Sequence, residues 1–134
     1  MKYMLLMQFP LSSWRTDLIT LWPQEDAARH MDYLARMRAD LEQAGELVDT
    51  QGLTGPEAAT EVRAGADGSP AVTDGPFAES KEFLAGYLIV DVENVQRAHE
   101  IAARWSHGPG RGGKPGNWPV QVRQMLGFRH GDDA

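Results

Sequence analysis

Thr73-Asp74-Gly75-Pro76-Phe77-Ala78-Glu79-Ser80-Lys81-Glu82 leads straight into Phe83-Leu84-Ala85-Gly86-Tyr87-Leu88-Ile89-Val90-Asp91-Val92. The second stretch is apolar nearly throughout. It predicts a central strand, either covered on both faces or lying in an interface. The first stretch reads as the corner that delivers it. Gly75 relaxes the backbone, and Pro76 lacks an N–H and pushes Gly75 out of the helical region. Asp74 stands at the head of the turn, where its carboxylate can accept N–H groups a residue or two ahead, as in an Asx-turn.

Reading outward, Lys2 to Phe9 is a short apolar run closed by Pro10 and predicts a buried first strand. Leu11 to Trp22 is irregular or briefly helical, with Trp14 and Trp22 expected to cover one end of the core. Pro23 suits a first helical position, and Glu25 and Asp26 favour the positive end of the helix dipole. Ala27, Met31, Leu34 and Leu41 recur at helical spacing with Met37 filling in, and Gly45 supplies the stop. Glu46 to Leu53 and Ala59 to Ala64 read as strands joined by the Gly55-Pro56 turn. Asp67-Gly68-Ser69-Pro70 predicts a hairpin turn into Ala71-Val72-Thr73. Asn94 can cap a second helix whose stripe is Val95, Ala98, Ile101, Ala102 and Trp105. A Gly-rich segment, Ser106 to Asn117, reads as a flexible connector. Trp118, Val120 and Val122 then alternate with polar neighbours in a last strand through about Phe128, and Arg129 to Ala134 reads as a frayed tail.

The order is β-α-β, a hairpin region, then β-α-β, which predicts one domain over 1–128. That is a split βαβ, ferredoxin-like α+β plan: an antiparallel sheet with two helices on one face. The sheet's other face also needs cover. With no further helix to supply it, a second copy of the chain is the expected cover, giving a homodimer.

Composition excludes several functions. Thirteen basic residues against 19 acidic ones leave a net charge of −6, so no phosphate-backbone binding face is expected and nucleic acid is not a predicted partner. There is no cysteine, which removes disulfides, thiol redox chemistry and Cys-based zinc sites. The opening apolar run is too short for a signal peptide, and nothing approaches the roughly 20 apolar residues of a membrane span. A cytoplasmic protein without membrane contact is expected. His30, His99, His107 and His130 are scattered over different elements with no ligand spacing, so no metal and no cofactor is predicted.

Gly108-Pro109-Gly110-Arg111-Gly112-Gly113-Lys114-Pro115 matches two nucleotide-binding patterns by letter. Both require a strand before the glycines and a helix after them, whereas here the helix precedes and the strand follows. Pro115 also stands where a magnesium-holding hydroxyl would be. The nucleotide readings fail. Arg111 and Lys114 instead place positive charge on a loop able to meet an anionic substrate group.

The whole pattern resembles the DGPF branch of the YCII-related proteins. The resemblance runs through Lys2-Tyr3-Met4-Leu5-Leu6, Leu41-Glu42-Gln43-Ala44-Gly45-Glu46-Leu47, Gln51-Gly52-Leu53, the TDGPFAESKE segment and Gly86-Tyr87-Leu88-Ile89-Val90. It implies a ferredoxin-like fold that pairs as a dimeric α/β barrel. Members are mostly of unknown function, and the wider family includes a dehydrochlorinase-like enzyme. A helix His and an Asp are proposed there as an acid–base dyad. DGPF members often occur beside, or fused to, extracytoplasmic-function sigma factors, which implies a regulatory setting.

The family's helix His falls on His30. Its Asp position, after the second helix, reads Trp105-Ser106-His107-Gly108-Pro109 and holds no carboxylate. Asp74 is the candidate replacement if the DGPF corner folds toward His30. His30 itself reads either as a general acid or base, or as a hydrogen-bonded histidine at the core edge. Asp74 likewise is a turn acceptor or a functional carboxylate. Glu79, Lys81 and Glu82 read as solvated residues at the strand entry, with Lys81 an anion contact if the corner lines a cleft.

Two functions follow. One is a small-molecule enzyme performing elimination, hydrolysis or isomerisation, with His30 and Asp74 catalytic and Lys81, Arg111 and Lys114 binding substrate. The other is a non-catalytic accessory protein that binds a ligand or a sigma-factor-related partner.

Overall fold

The computed structural model describes residues 1–13, 18–77 and 80–127. The expectations placed on Trp14, Glu79, Phe128, His130 and the tail lie outside these residues.

Strand β1 (Lys2–Pro10) alternates strictly, burying Tyr3, Leu5, Met7 and Phe9 and leaving Met4, Leu6 and Gln8 half-buried. Helix α1 (Gln24–Gln43) follows a short 3-10 turn at Ile19–Leu21. Pro23 sits one position earlier than predicted, at the N-cap, where its carbonyl accepts the N–H groups of Asp26 and Ala27. Gly45 ends the helix with φ of 73°, a left-handed conformation that glycine adopts without a Cβ penalty.

Strand β2 (Leu47–Gly52) does not pair with β3 (Thr60–Ala64). A 3-10 turn at Pro56–Ala58 redirects the chain, and β3 pairs with β4 (Pro70–Asp74) as a separate two-stranded ribbon. Its tip is the predicted hairpin turn, where Asp67 Oδ1 accepts the Ser69 N–H at 3.0 Å. Strand β5 (Glu82–Asp91) is central, as expected. Within the chain, however, only one face of it is well covered: Gly86, Leu88 and Val90 are buried, whereas Tyr87 and Ile89 are half-open. Asn94 caps helix α2 (Val95–Ser106) by accepting the Arg97 N–H at 2.9 Å, and Ala98, Ile101, Ala102 and Trp105 face the core. Strand β6 (Val120–Gln124) is shorter than the alternation suggested.

The main sheet has the order β2-β5-β1-β6, antiparallel at every pairing. With both helices on one face, this α+β arrangement is compatible with a ferredoxin-like fold, the β3–β4 ribbon being an insertion between β2 and β5. Among the described residues the four strands stay an open sheet, edged by β2 and β6, and form no closed barrel.

Leu5, Leu41, Val90 and Ile101 are fully buried where the helices meet the sheet. Each such side chain contributes about 1.5–3 kcal/mol relative to exposure. Tyr33 of α1 donates to the Arg104 carbonyl of α2 at 2.7 Å. Arg97 grips Glu46 with two bonds of 2.9 and 2.8 Å, fixing the start of α2 against the entry to β2. No described helix is long and apolar enough to cross a membrane.

Candidate functional site

The inward face of α1 is where structure and periodicity part. Met31, expected in the apolar stripe, is 54% exposed, while the buried positions are Asp26, His30, Met37 and Leu41. Two polar side chains therefore occupy the first inward turns. Each has a backbone partner in the Gly-rich segment.

His30 Nδ1 lies 3.0 Å from the Pro109 carbonyl oxygen. A carbonyl can only accept, so Nδ1 carries the proton and the neutral ring keeps its lone pair on Nε2. Burial pushes the His30 pKa below its ordinary value, and the bond to Pro109 opposes this more weakly. Near neutral pH the ring is thus uncharged, with Nε2 as a base. No buried side-chain nitrogen or oxygen lacks a partner among the described residues. Nε2 makes no hydrogen bond among them, so it is open to water.

One turn earlier, Asp26 is 5% exposed. Its Oδ2 accepts the Gly112 N–H at 2.9 Å, and its Oδ1 faces Arg29 at 3.3 Å. Arg111 adds a third attachment by donating to the Leu21 carbonyl at 3.0 Å. The supposed flexible connector is a hydrogen-bonded structure. Gly110 and Gly116 donate to the carbonyls of Lys114 and Gly108, and Ser106 Oγ donates to the Trp118 carbonyl. A Gly-rich sequence signals backbone freedom but not the acceptors that will use it.

An aromatic wall surrounds the imidazole. The Trp118 ring stacks on Trp22 at 5.9 Å and on Phe9 at 5.3 Å, while His30 meets both tryptophans edge-on. Gly116 is what lets Trp118 lie there, because a Cβ at Gly116 would fall inside the ring.

Beside His30, between α1 and the β2–β5 side of the sheet, lies a cavity of about 360 Å³. Leu18, Met31, Leu34, Met37 and Leu88 give it apolar walls. Part of its floor is a pair of glycines facing each other across β2 and β5, Gly52 and Gly86. A shaped, mostly apolar cleft with few polar groups is the usual form of a small-molecule site.

Of the five residues singled out from sequence, only His30 lines this cavity. Arg111 anchors the loop, and Lys114 is exposed on it. Asp74 is exposed at the end of the ribbon, and its carboxylate makes no hydrogen bond or ion pair among the described residues. Its neighbour Gly75 donates to the Ala59 carbonyl at 2.8 Å, so the corner is held by the backbone. Lys81 is exposed too, its carbonyl accepting the Leu11 N–H. Among the described residues, no carboxylate bonds to His30. Sequence reasoning missed Asp26, which it assigned to the helix dipole; the signal was its spacing of four from His30, which puts both on one face. Trp118 was seen only as a strand residue.

Residues 1–108 match the YCII-related domain. The chain belongs to the YCII-related family. An uncharacterized protein of Rhizobium meliloti (strain 1021) is similar to it, 30% identical over 111 residues that cover 83% of this chain and 85% of the relative. The YCII-related match contains His30, Asp26 and every residue that lines the cavity, but it ends just before Pro109. In this YCII-related protein, the backbone groups that hold His30 and Asp26, the Pro109 carbonyl and the Gly112 N–H, thus come from the stretch beyond the matched domain.

Proposed function

We propose that this protein, of the DGPF branch, binds a small molecule with an apolar body in the cavity beside His30 and moves a proton at it. Nε2 of His30 is the base, and the Pro109 carbonyl holds the ring in the tautomer that exposes it. The carrying observation is the combination of a neutral, tautomer-locked imidazole with an apolar cleft at its side. Burial keeps the ring unprotonated near neutral pH, so Nε2 is available to take a proton from a bound acid. Elimination and isomerisation both begin with such a transfer, and hydrolysis uses the same base on water.

The test follows proton exchange rather than a finished reaction. Compounds that bind the cavity and carry an acidic C–H are incubated in deuterated water and followed by NMR. The wild-type protein is expected to exchange that hydrogen faster than His30→Gln, which should still bind. Equal rates in the two proteins for every cavity ligand would remove the base role.

We further propose that the half-covered sheet face, centred on Met4, Leu6, Tyr87 and Ile89, meets a second copy as in a dimeric α/β barrel. An apolar centre rimmed by Asp49, Gln51, Gln121 and Arg123 has the make-up of an interface. The β3–β4 ribbon supports a second reading, an accessory protein that contacts a sigma-factor-related partner. Val62 and Val72 pair across it, 57% and 59% exposed, and an isolated two-stranded ribbon is marginal in water. Capture of a purified extracytoplasmic-function sigma factor by wild type, lost on Val72→Asp, is the result that reading requires.

A further inference from the structure

The charges at the cavity are one-sided. The chain carries 19 acidic residues, yet among the described residues no carboxylate lines the cavity. The titratable side chains that do are His30 and Arg38. His30 is neutral near pH 7 by burial. Arg38 is exposed at the opening and makes no ion pair or hydrogen bond among the described residues. Eight residues separate the two on α1, which at the helical rise of 1.5 Å is roughly 12 Å. The mostly apolar cavity thus carries on its lining a base and an unpaired guanidinium, about two turns of α1 apart.

We infer that the cavity takes a monoanion with an apolar body, its carboxylate or sulfonate paired with Arg38 and its far end at His30. This rests on the cavity being the ligand site of the proposed function and specifies which ligands enter it. A guanidinium matches a planar or tripodal oxyanion through two parallel bonds. A cation would meet Arg38 with no carboxylate to offset it. A dianion would have to bury its second charge against Met and Leu side chains, at a large desolvation cost.

The geometry also supplies a way to fill the cavity without breaking the fold. A Cβ built on Gly52 meets nothing within 4 Å, and the residue is in ordinary extended backbone. Gly52 pairs directly with Gly86 and so shares the helix-facing side of the sheet with Leu88. Gly52→Val therefore fills the floor of the cavity. Ala35→Leu narrows it from the helix side as a second, independent block.

The test uses two probes of nearly the same body: 1-anilinonaphthalene-8-sulfonate, a monoanion, and N-phenyl-1-naphthylamine, which is uncharged. Binding is read by fluorescence, with near-UV circular dichroism confirming that each variant is folded. The sulfonate should bind the wild type about tenfold more tightly, the scale of one charge-assisted bidentate pair. Arg38→Gln should erase that preference, Arg38→Lys should restore part of it, and the neutral probe should ignore both changes. Gly52→Val, or Ala35→Leu, should weaken both probes. Equal affinity of the two probes for wild type, or a preference that survives Arg38→Gln, overturns the anion assignment. Full binding by both folded blocking variants overturns the cavity as the site. The base role of His30 is judged separately by the deuterium-exchange comparison, so either idea can fail alone.

Discussion

Asp26 and His30, one turn apart on α1, hold the same loop by opposite chemistry. The Asp26 carboxylate accepts the Gly112 N–H at 2.9 Å, and the His30 ring donates to the Pro109 carbonyl at 3.0 Å. Neither side chain touches the other through a hydrogen bond. Asp26 is thereby a positioning residue: it keeps the loop seated, and the seated loop presents the carbonyl that fixes the imidazole.

Asp26→Ala should loosen this arrangement. It leaves the Gly112 N–H without its acceptor, a loss on the order of 1–3 kcal/mol. Urea unfolding should show the destabilisation, and amide exchange at Gly112 should speed up. Asp26→Asn keeps an acceptor and should lose less. An unchanged Gly112 exchange rate in the alanine variant would mean that the loop is held by other contacts.

Stability should fall as acid is added, starting near the unperturbed His pKa of about 6.5. The folded-state pKa of His30 is depressed, chiefly by burial. Below about pH 6.5 the unfolded chain takes up a proton that the folded one refuses, so its contribution is whole above that pH and lost as pH falls toward the folded value. His30→Gln removes the titration. Unfolding curves at pH 7.5 and 5.5 should therefore differ more for wild type than for the variant, and parallel pH profiles would contradict a depressed pKa.

Two glycines should respond in opposite ways to one methyl group. A Cβ on Gly75 would stand 2.6 Å from the Pro56 carbonyl oxygen and 3.0 Å from that of Ala59, whereas one on Gly52 meets open space. Overpacking against backbone costs about 1–3 kcal/mol. Gly75→Ala should lower the thermal midpoint by several degrees, and Gly52→Ala should leave it nearly unchanged or raise it. Equal shifts would show that the DGPF corner gives way easily.

Ile89→Glu probes the proposed pairing of sheets. Ile89 lies on the half-covered face of β5, opposite Met4 of β1 and Asp49 of β2. A carboxylate there would be buried without a partner in a dimer but would face water in a monomer. Light scattering should report about twice the 14.8 kDa chain mass for wild type and the single mass for the variant. A wild-type monomer would end the dimer proposal.

Much of the architecture was legible because it is written in short-range patterns. The Lys2–Phe9 run, the Asn94 cap and the turn at Asp67-Gly68 each depend on neighbours within a few residues, and each appears as read. The site was legible only in part. His30 was found through family resemblance and helical spacing. Its partner was not found, because a backbone carbonyl has no side-chain signature and Pro109 lies in a segment whose glycines suggested slack. Apolar periodicity also misplaced the inner face of α1 at its start. Asp26 is polar, so a hydrophobic stripe drawn through Ala27 and Met31 passed beside it. The pairing of β2 with β5 rather than β3 depends on how Pro56 turns the chain, which no local pattern records.

The bond from His30 to Pro109 joins residues 79 positions apart. Synthesis proceeds at about 5–20 residues per second, so the acceptor follows the ring out of the ribosome by roughly 4 to 16 seconds. During that interval α1 can form and bury its apolar side, but its imidazole exchanges freely between tautomers. The reactive nitrogen is chosen late. A nascent chain halted before the Gly-rich segment would carry every wall of the cavity formed by residues 7–105 and still lack the group that sets its chemistry.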